Sequence, residues 1–430
     1  MTLSQLSNPQ LPVSKMAANL IPSEIIKLGQ EVGARIKKGE QIANLTIGDF
    51  DPKLFPIPKL LENLIVEAYR EGQTNYPAAN GIPELRLALK AFLHQRLNID
   101  LEPDEILISG GARPLIYALY QTIVDPGDKV IYPVPSWNNN HYCHLCGAEA
   151  IELEVGPDKN FMPQKEDILP HIQDAVLLAL CSPQNPTGTT FSSQNLQDIC
   201  NMVIEENLRR GKDKKPLYIM YDQIYWQLTF GENQHHHPLE VVPGIKEYVI
   251  YIDGVSKCFA ATGVRVGWAF GPRNIVDKMR ATLSHIGAWA PKAEQWATAR
   301  FLNDPSDISD YLEWFKPEVE ERLRSLYEGL CRLQNKGYPV EVIAPQAAIY
   351  LTVRFPWIGM STANGDELQN MKKVASYLID TCGIAIVPFN AFGASDESEW
   401  FRISVGTLAK DEIPQILSHL ENGLKQLQKI

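Results

Sequence analysis

The sequence predicts an α/β protein: a large domain whose mainly parallel, seven-stranded sheet is flanked by helices, and a smaller α+β domain built from both termini. Three observations lead to this fold class. The middle of the chain alternates short apolar, β-branched segments with stretches of helical spacing, which is typical of a parallel sheet covered on both faces. The terminal parts lack this alternation. The length of 430 residues also exceeds what one simple core usually accommodates.

The strands of the large domain are predicted from apolar runs such as AVLLALC, and the helices between them from stretches such as RPLIYALYQTI at 113–123. The seven predicted strands cover residues 105–110, 129–134, 149–155, 175–181, 217–222, 248–253 and 265–270. After them, residues 311–335 have the pattern of a long charged helix, followed by short strand patterns. We therefore expect an N-terminal arm and part of the small domain at 1–50, the large domain at 51–310 and the small domain at 311–430.

Composition excludes several classes of protein. The formal net charge of −11 argues against general binding to nucleic acid or to anionic membranes. The first fifteen residues lack the apolar core of a secretory signal, and no apolar run approaches the length of a membrane span. The seven cysteines are odd in number and scattered from Cys143 to Cys382, unlike a disulfide framework. A reducing compartment, the cytoplasm, is the expectation.

Candidate functional residues follow the predicted strands, where an open parallel sheet binds its ligands. In chain order they are Gly110, Gly111 and Ala112, then Trp137, then Asn185 within SPQNPTG (182–188), then Asp222, and finally Ser256, Lys257 and Arg265. A glycine pair before a helix offers backbone N–H groups to an anion, and Arg265 can contact the same phosphate. Trp137 offers a flat face to a ring, and Asp222 can keep a ring nitrogen protonated. Lys257 supplies an amine for a Schiff base. Together these groups predict pyridoxal phosphate.

Simpler interpretations exist for single residues. Asp222 alone could be a turn former, and Trp137 could belong to the core, although its flanks are loop-like. A lysine is usually a solvated surface charge, but Lys257 lies between a strand pattern and an apolar segment.

Two clusters suggest metal ligands. The run 235–237, three histidines in a polar segment, is better explained as a surface loop. His141, Cys143, His144 and Cys146 lack the second ligand pair that a zinc site needs, so we predict no metal.

The segment IDGVSKCFAATGVRVGWAFGP (252–272) resembles the lysine segment of the pyridoxal-phosphate-dependent class I/II aminotransferases of fold type I, the aspartate/aromatic aminotransferase-like group. Further blocks resemble that family in the same order: LTIGDF (45–50), TNYPAANGIPELR (74–86), DPGD (125–128), NPTG (185–188), DQIY (222–225) and FRIS (401–404). The resemblance extends roughly from residue 42 to residue 408.

The resemblance implies an enzyme that moves an amino group between an amino acid and a 2-oxo acid. Lys257 would be the Schiff-base lysine and proton shuttle, and Asp222 and Tyr225 the other catalytic residues. The implied cofactor contacts are Gly111, Ala112, Arg113, Trp137, Asn185, Asp222, Tyr225, Ser256, Lys257, Arg265 and Tyr76. Of these, Tyr76 would reach the phosphate in the other subunit of a homodimer. Gly48, Asn185 and Arg402 would bind the substrate, with Arg402 on its α-carboxylate.

Some positions depart from the family pattern: Gly254 replaces a frequent serine, Gln223 replaces a usual glutamate, and Phe389 occupies a loop near the substrate. Residues 285–295 contain no arginine for a second carboxylate. Trp289 and Phe389 are therefore expected to line an apolar substrate site, while Lys292 and His285 leave an aspartate-like substrate open.

Two rival functions remain. One is another reaction of the same cofactor, as in a β-lyase, decarboxylase or racemase, because the cofactor supplies the chemistry. The other is a transcription regulator, for which residues 1–40 are too short to supply a DNA-binding domain.

Overall fold

The structure is a computed structural model that describes residues 13–20 and 23–429. The strands are β1 (Ala43–Asn44), β2 (Ile106–Ser109), β3 (Lys129–Val134), β4 (Glu149–Glu154), β5 (Ala175–Cys181), β6 (Tyr218–Asp222), β7 (Val249–Gly254), β8 (Gly267–Phe270), β9 (Glu341–Val342), β10 (Tyr350–Arg354), β11 (Met360–Ser361), β12 (Ile384–Ala385), β13 (Val387–Pro388), β14 (Trp400–Ser404) and β15 (Gln428–Lys429). The α-helices are α1 (Lys15–Ala18), α2 (Glu24–Lys37), α3 (Lys59–Arg70), α4 (Pro83–Leu97), α5 (Ala112–Ile123), α6 (Asn139–Cys146), α7 (Lys165–Ile168), α8 (Ser193–Arg210), α9 (Pro238–Val241), α10 (Val255–Cys258), α11 (Arg273–Ile286), α12 (Lys292–Leu302), α13 (Pro305–Asn335), α14 (Met371–Asp380) and α15 (Ile413–Leu424).

A seven-stranded sheet forms the centre of the molecule, in the order β2-β8-β7-β6-β5-β3-β4. All neighbours are parallel except β8, which is antiparallel to both β2 and β7. Six of the seven predicted segments contain one of these strands, and the segment 248–253 overlaps β7, which ends one residue later. The predicted fold class, a mainly parallel seven-stranded sheet between helices, is therefore confirmed.

Helices cover this sheet on both faces because its strands are apolar on both sides. On β5, Leu178 belongs to the apolar cluster that also contains Leu89 of α4 and Ile199 of α8. Its neighbour Leu177 belongs to a second cluster, which includes Leu119 of α5. Successive side chains of a strand point to opposite faces, so one apolar run serves both layers.

A second, four-stranded antiparallel sheet has the order β13-β14-β10-β9. It packs with α13, α14 and α15 in a separate apolar cluster that includes Leu326, Val374, Leu420 and Phe401. Early and late parts of the chain meet there, since β1 pairs in parallel with β12.

Two contacts join the second sheet to the loop 185–188, which follows β5. The backbone N–H of Ala347 donates to Gly188 O at 2.9 Å, and Thr352 Oγ1 donates to Thr187 O at 2.9 Å. The second sheet is thereby held against the carboxyl ends of the central strands.

The histidine run 235–237 was expected to be a surface loop, and for His237 this is wrong. His237 is buried, with Nε2 3.1 Å from Leu97 O and its ring against Tyr251. Burial lowers the pKa of His235 and of His237, so both rings are packed as neutral groups, His237 against the end of α4.

The prediction that the chain begins without a secretory signal rests largely on residues 1–12, which lie outside the described residues. Within residues 13–20 and 23–429, no helix is both long enough and apolar enough to cross a membrane. All seven cysteines have free thiols.

Candidate active site

A cavity of about 640 Å³ lies where β5, β6 and β7 end. It collects most of the residues singled out in the sequence, although they come from distant parts of the chain. Those that line it are Gly48, Ala112, Arg113, Trp137, Asn185, Asp222, Tyr225, Ser256, Lys257, Arg265 and Arg402. Gly111 is buried beside this wall, directly before Ala112. Tyr76 does not line the cavity of its own chain.

Lys257 brings a readily deprotonated amine into the cavity. It belongs to the short helix α10, directly after β7, and its Nζ donates to Gly48 O at 2.6 Å. Burial lowers its pKa to about 8, assisted by the positive charges of Arg402 and Arg265 and opposed by the negative charge of Asp49. Since the neutral form of an amine is the nucleophile, this environment suits Lys257 to bond an aldehyde.

Asp222 is the last residue of β6. Burial raises its pKa to about 6, while the backbone N–H of Ile224, 3.1 Å from Oδ1, opposes this rise. The carboxyl group is therefore largely ionised at pH 7. A carboxylate so placed fits a ligand that brings a positive charge, such as a protonated ring nitrogen.

The start of α5 and Arg265 form a site for an anion. Gly111 directly precedes the helix with φ +101°. As in any helix, the first backbone N–H groups of α5 have no helical partners and can bind an anion. Arg265 Nη2 donates to Gly110 O at 2.9 Å, and Nη1 donates to Thr262 O at 2.7 Å. A Cβ atom on Gly111 would lie 2.2 Å from Arg265 Nη2. The glycine is thus what lets the guanidinium lie against the helix start, and this cradle fits a phosphate.

Gly254 departs from the family pattern for a steric reason. A Cβ atom there would lie 2.9 Å from Val266 O and 3.0 Å from Gly267 Cα, both of them backbone atoms of the neighbouring chain segment. A serine would need β7 and β8 to separate. Ser256, which lines the cavity, is the hydroxyl available in its place.

Arg402 is a buried guanidinium whose hydrogen bonds go to neutral oxygens. Its Nη1 donates to Asn185 Oδ1 at 2.9 Å and its Nη2 to Thr46 O at 2.6 Å. Nε is buried without a hydrogen-bond partner among the described residues. Burial lowers the pKa of Arg402, and no carboxylate of the described residues forms an ion pair with it, so its charge lacks a counterion there. An anionic group of a ligand would supply one.

Several cavity residues were not anticipated. Tyr350 of β10 lines the wall, and its hydroxyl lies 2.7 Å from that of Tyr225. Ile25, Ile26 and Ile47 add an aliphatic wall from the N-terminal part of the chain. The sequence carries no signal for these contacts, because they depend on how the second sheet and α2 pack on the first.

The expectations for Phe389 and Trp289 need correction. Phe389 is fully buried in an aromatic cluster with Phe161 and Phe392, at ring-centroid distances of 5.6 and 6.3 Å, so its assignment to the substrate site is wrong. Trp289 packs edge to face on Tyr76 at 5.3 Å and does not line the cavity of its own chain.

Comparisons with known proteins agree with this geometry. Residues 40–420 match the family "Aminotransferase class I and II". The chain is 27% identical over 390 residues to an aspartate aminotransferase of Bacillus sp. (strain YM-2), covering 90% of this chain and 93% of that protein. It is 28% identical over 386 residues to the aspartate/prephenate aminotransferase of Thermus thermophilus, covering 89% and 92%.

A solved structure is also similar. The aspartate aminotransferase from Rhizobium meliloti superimposes with a TM-score of 0.87 at 25% identity, covering 97% of this chain and all of that one. The match to the family extends over most of the 430 residues. This chain therefore belongs to the class I and II aminotransferases, enzymes whose cofactor is pyridoxal 5′-phosphate.

Proposed function

We propose that Lys257, Asp222 and Tyr225 are the catalytic residues with which this aminotransferase moves an amino group between an amino acid and a 2-oxo acid. The observation that carries the proposal is the Lys257 amine, which lies within the cavity with its pKa lowered to about 8. When bound, pyridoxal phosphate supplies an aldehyde that takes up the amino group and a protonated ring that withdraws electrons from the substrate Cα. Lys257 Nζ would hold the cofactor covalently and, once released from it, would take the proton that leaves Cα.

The cofactor is held by groups that surround the cavity. Asp222 would keep the ring nitrogen protonated, and Trp137 would stack on the ring. Asn185 and Tyr225 would donate hydrogen bonds to the phenolic oxygen. The phosphate would be held by the backbone around Gly111, Ala112 and Arg113 together with the side chains of Ser256, Arg265 and, from the second subunit, Tyr76.

Arg402 binds the α-carboxylate of the substrate, assisted by Asn185 and the backbone of Gly48. Support comes from the uncompensated charge of Arg402 and from its 2.9 Å bond to Asn185 Oδ1, which holds the guanidinium in place. A bound carboxylate would also satisfy donors that now meet only neutral oxygens.

The preferred substrate has a large neutral or aromatic side chain. The aliphatic wall of Ile25, Ile26 and Ile47 supports this, because burying an apolar side chain against it is favourable. Two observations favour an aspartate-like substrate instead. Arg113 lines the cavity, 5.0 Å from the Trp137 ring, and its positive charge could pair with a second carboxylate. A relative is also named as an aspartate aminotransferase. A panel of amino donors, followed by 2-oxo acid formation, separates the two.

We further propose a homodimer in the cytoplasm, with an N-terminal arm and part of the small domain at 1–50, the large domain at 51–310 and the small domain at 311–430. The free thiols of all seven cysteines suit a reducing compartment.

The assignment of Lys257 is tested by fixing the cofactor covalently to the residue that holds it. Holoenzyme is reduced with borohydride, digested and analysed by mass spectrometry, and the peptide with residue 257 is expected to carry the cofactor mass. Lys257→Ala should carry none. Lys292→Ala is the matched control, since Lys292 Nζ donates to Asn75 Oδ1 at 2.7 Å outside the cavity, and it should label like wild type. A borohydride-fixed cofactor in Lys257→Ala would refute the assignment.

A further inference from the structure

We propose that Tyr350 is a positioning residue: its hydroxyl donates to the hydroxyl of Tyr225 and so directs the Tyr225 proton into the cavity, toward the cofactor's phenolic oxygen. The inference rests on the proposed role of Tyr225 and assigns to Tyr350 a role that acts only through it.

The geometry fixes the two phenols against each other. Tyr350 is 1% exposed, Tyr225 is buried as well, and their hydroxyl oxygens are 2.7 Å apart. The rings meet edge to face, with centroids 5.6 Å apart and planes at 70°. Tyr350 lies on β10 of the second sheet and Tyr225 in the segment that follows β6 of the central sheet, so the bond also connects these two parts of the molecule.

Tyr350 has little freedom to turn away. The guanidinium carbon of Arg402 lies 4.5 Å from its ring centroid. On another side its hydroxyl approaches Gly48 so closely that a Cβ atom there would lie 2.8 Å from it. Lys257 Nζ donates to the carbonyl of the same Gly48 at 2.6 Å and lies 5.9 Å from the centroid of the Tyr225 ring, so the two phenols share the neighbourhood of the reactive amine.

The direction of the bond follows from proton counting. Burial raises the pKa of both tyrosines, so each phenol keeps its single proton. One hydroxyl must donate and the other accept, and the acceptor's own proton then points elsewhere. Arg402 lowers the pKa of both phenols, but burial raises the pKa of Tyr225 further than that of Tyr350, whose ring centroid lies 4.5 Å from the guanidinium carbon. Tyr350 is therefore the more acidic phenol and the better donor. Neither hydroxyl has another hydrogen-bond partner among the described residues, so the Tyr225 proton is left for a ligand of the cavity.

This arrangement strengthens the donor that faces the cofactor. A hydroxyl that accepts a hydrogen bond becomes a stronger donor, because hydrogen bonds in a chain polarise one another. A stronger donor at the phenolic oxygen stabilises the anionic form of that oxygen. Removing the Tyr350 hydroxyl should therefore raise the pH at which the bound cofactor gains a proton.

The experiment is a spectroscopic pH titration of the holoenzyme. Tyr350→Phe removes the hydroxyl but keeps the ring that packs on Tyr225 and Arg402. We expect the midpoint of the visible cofactor band to move upward by about 0.5 pH unit, the size expected from one weakened hydrogen bond. Tyr377→Phe is the matched control: it deletes another buried hydroxyl, which donates to Gly423 O at 2.9 Å outside the cavity, and should leave the midpoint unchanged.

A double variant tests whether Tyr350 acts through the Tyr225 hydroxyl. In a Tyr225→Phe background, Tyr350→Phe should cause no further shift, because the hydroxyl through which it acts is gone. An unchanged midpoint in the single variant, or an equal shift in both backgrounds, overturns the proposal. A wild-type protein without any cofactor band would instead refute the proposed function, so the two failures are distinguishable.

Discussion

Lys257 and Asp222 have pKa values displaced toward neutrality from opposite sides. The pKa of the Lys257 amine is lowered to about 8 and that of the Asp222 carboxyl is raised to about 6, and in both cases burial is the largest cause. Burial disfavours whichever form is charged, so one environment moves a base down and an acid up. The same cavity therefore contains an amine that can lose its proton and a carboxylate that a positively charged ligand group would stabilise.

The pH dependence of cofactor uptake tests the amine. Only neutral Nζ can attack the aldehyde, so the uptake rate of apoenzyme should rise with pH through a midpoint near 8 instead of continuing toward the 10.5 of an ordinary lysine. Asp49→Asn should move this midpoint lower, since the charge of Asp49 raises the Lys257 pKa. Stopped-flow absorbance measures both. A midpoint that stays or rises in Asp49→Asn would contradict the electrostatic account.

Asp222→Asn tests the carboxylate. An amide cannot keep the ring nitrogen protonated, so turnover should fall about 10²-fold or more, in line with the loss of one preorganised electrostatic partner. Asp253→Asn is the control, because Asp253 is a buried carboxyl on the adjacent strand that accepts from Trp226 Nε1 at 2.9 Å and does not line the cavity. Steady-state kinetics of both variants, with bound cofactor quantified, decide the matter. Equal losses would point to a general effect of replacing a buried carboxyl group.

At the scale of elements, strands buried on both faces were the most predictable part of the fold. The predicted segment 175–181 coincides with β5 and 129–134 coincides with β3, because near-continuous apolar runs end abruptly at polar turns. Site residues at the ends of these strands could be predicted for the same reason, since parallel strands bring their carboxyl ends to one edge.

Contacts made by the second sheet could not be predicted. The parallel pair of β1 with β12 involves two residues from each strand, too short for any periodic signal. The bond between Tyr225 and Tyr350 and the burial of Phe389 depend on how the second sheet lies against the first. The burial of His237 likewise depends on α4, which precedes it far along the chain.

Gly111→Ala tests the junction between β2 and α5. The new Cβ would lie 2.2 Å from Arg265 Nη2 and the backbone has φ +101°, so the guanidinium must leave the helix start. We expect the cofactor to bind at least about 10-fold more weakly, as for the loss of a charged hydrogen bond. Gly127→Ala is the control, with φ +90° and nothing within 4 Å of its new Cβ. Fluorescence titration of each apoenzyme with the cofactor measures the affinity. Comparable losses of affinity in Gly111→Ala and Gly127→Ala would mean that backbone strain alone is responsible.

At the scale of the whole molecule, the cavity belongs to both sheets. Asp222 ends a strand of the central sheet and Lys257 follows another, whereas Arg402 and Tyr350 lie on the second sheet. Large apolar side chains are exposed around α3 and the loop after it, among them Val66, Tyr69 and Tyr76. Such a surface on a single chain favours contact with another subunit.

Tyr76 is expected to act in the other subunit's site. It is 82% exposed, is absent from the cavity of its own chain and is steadied by the Trp289 ring at 5.3 Å, so it can reach outward. A phenol donates to a phosphate without adding charge, and Tyr76→Phe should weaken cofactor binding about 10-fold.

Hybrid dimers decide whether Tyr76 acts in its own chain or across the interface. A Lys257→Ala chain and a Tyr76→Phe chain are given different affinity tags, and the mixed dimer is purified. If Tyr76 acts across the interface, one site collects both defects and the other is fully wild type, so half of the wild-type turnover returns with wild-type cofactor affinity. If it acts within its own chain, every site carries one defect and no site of wild-type affinity appears. The Tyr76→Phe homodimer, which retains the ring against Trp289, sets the affinity of the defective site in both cases.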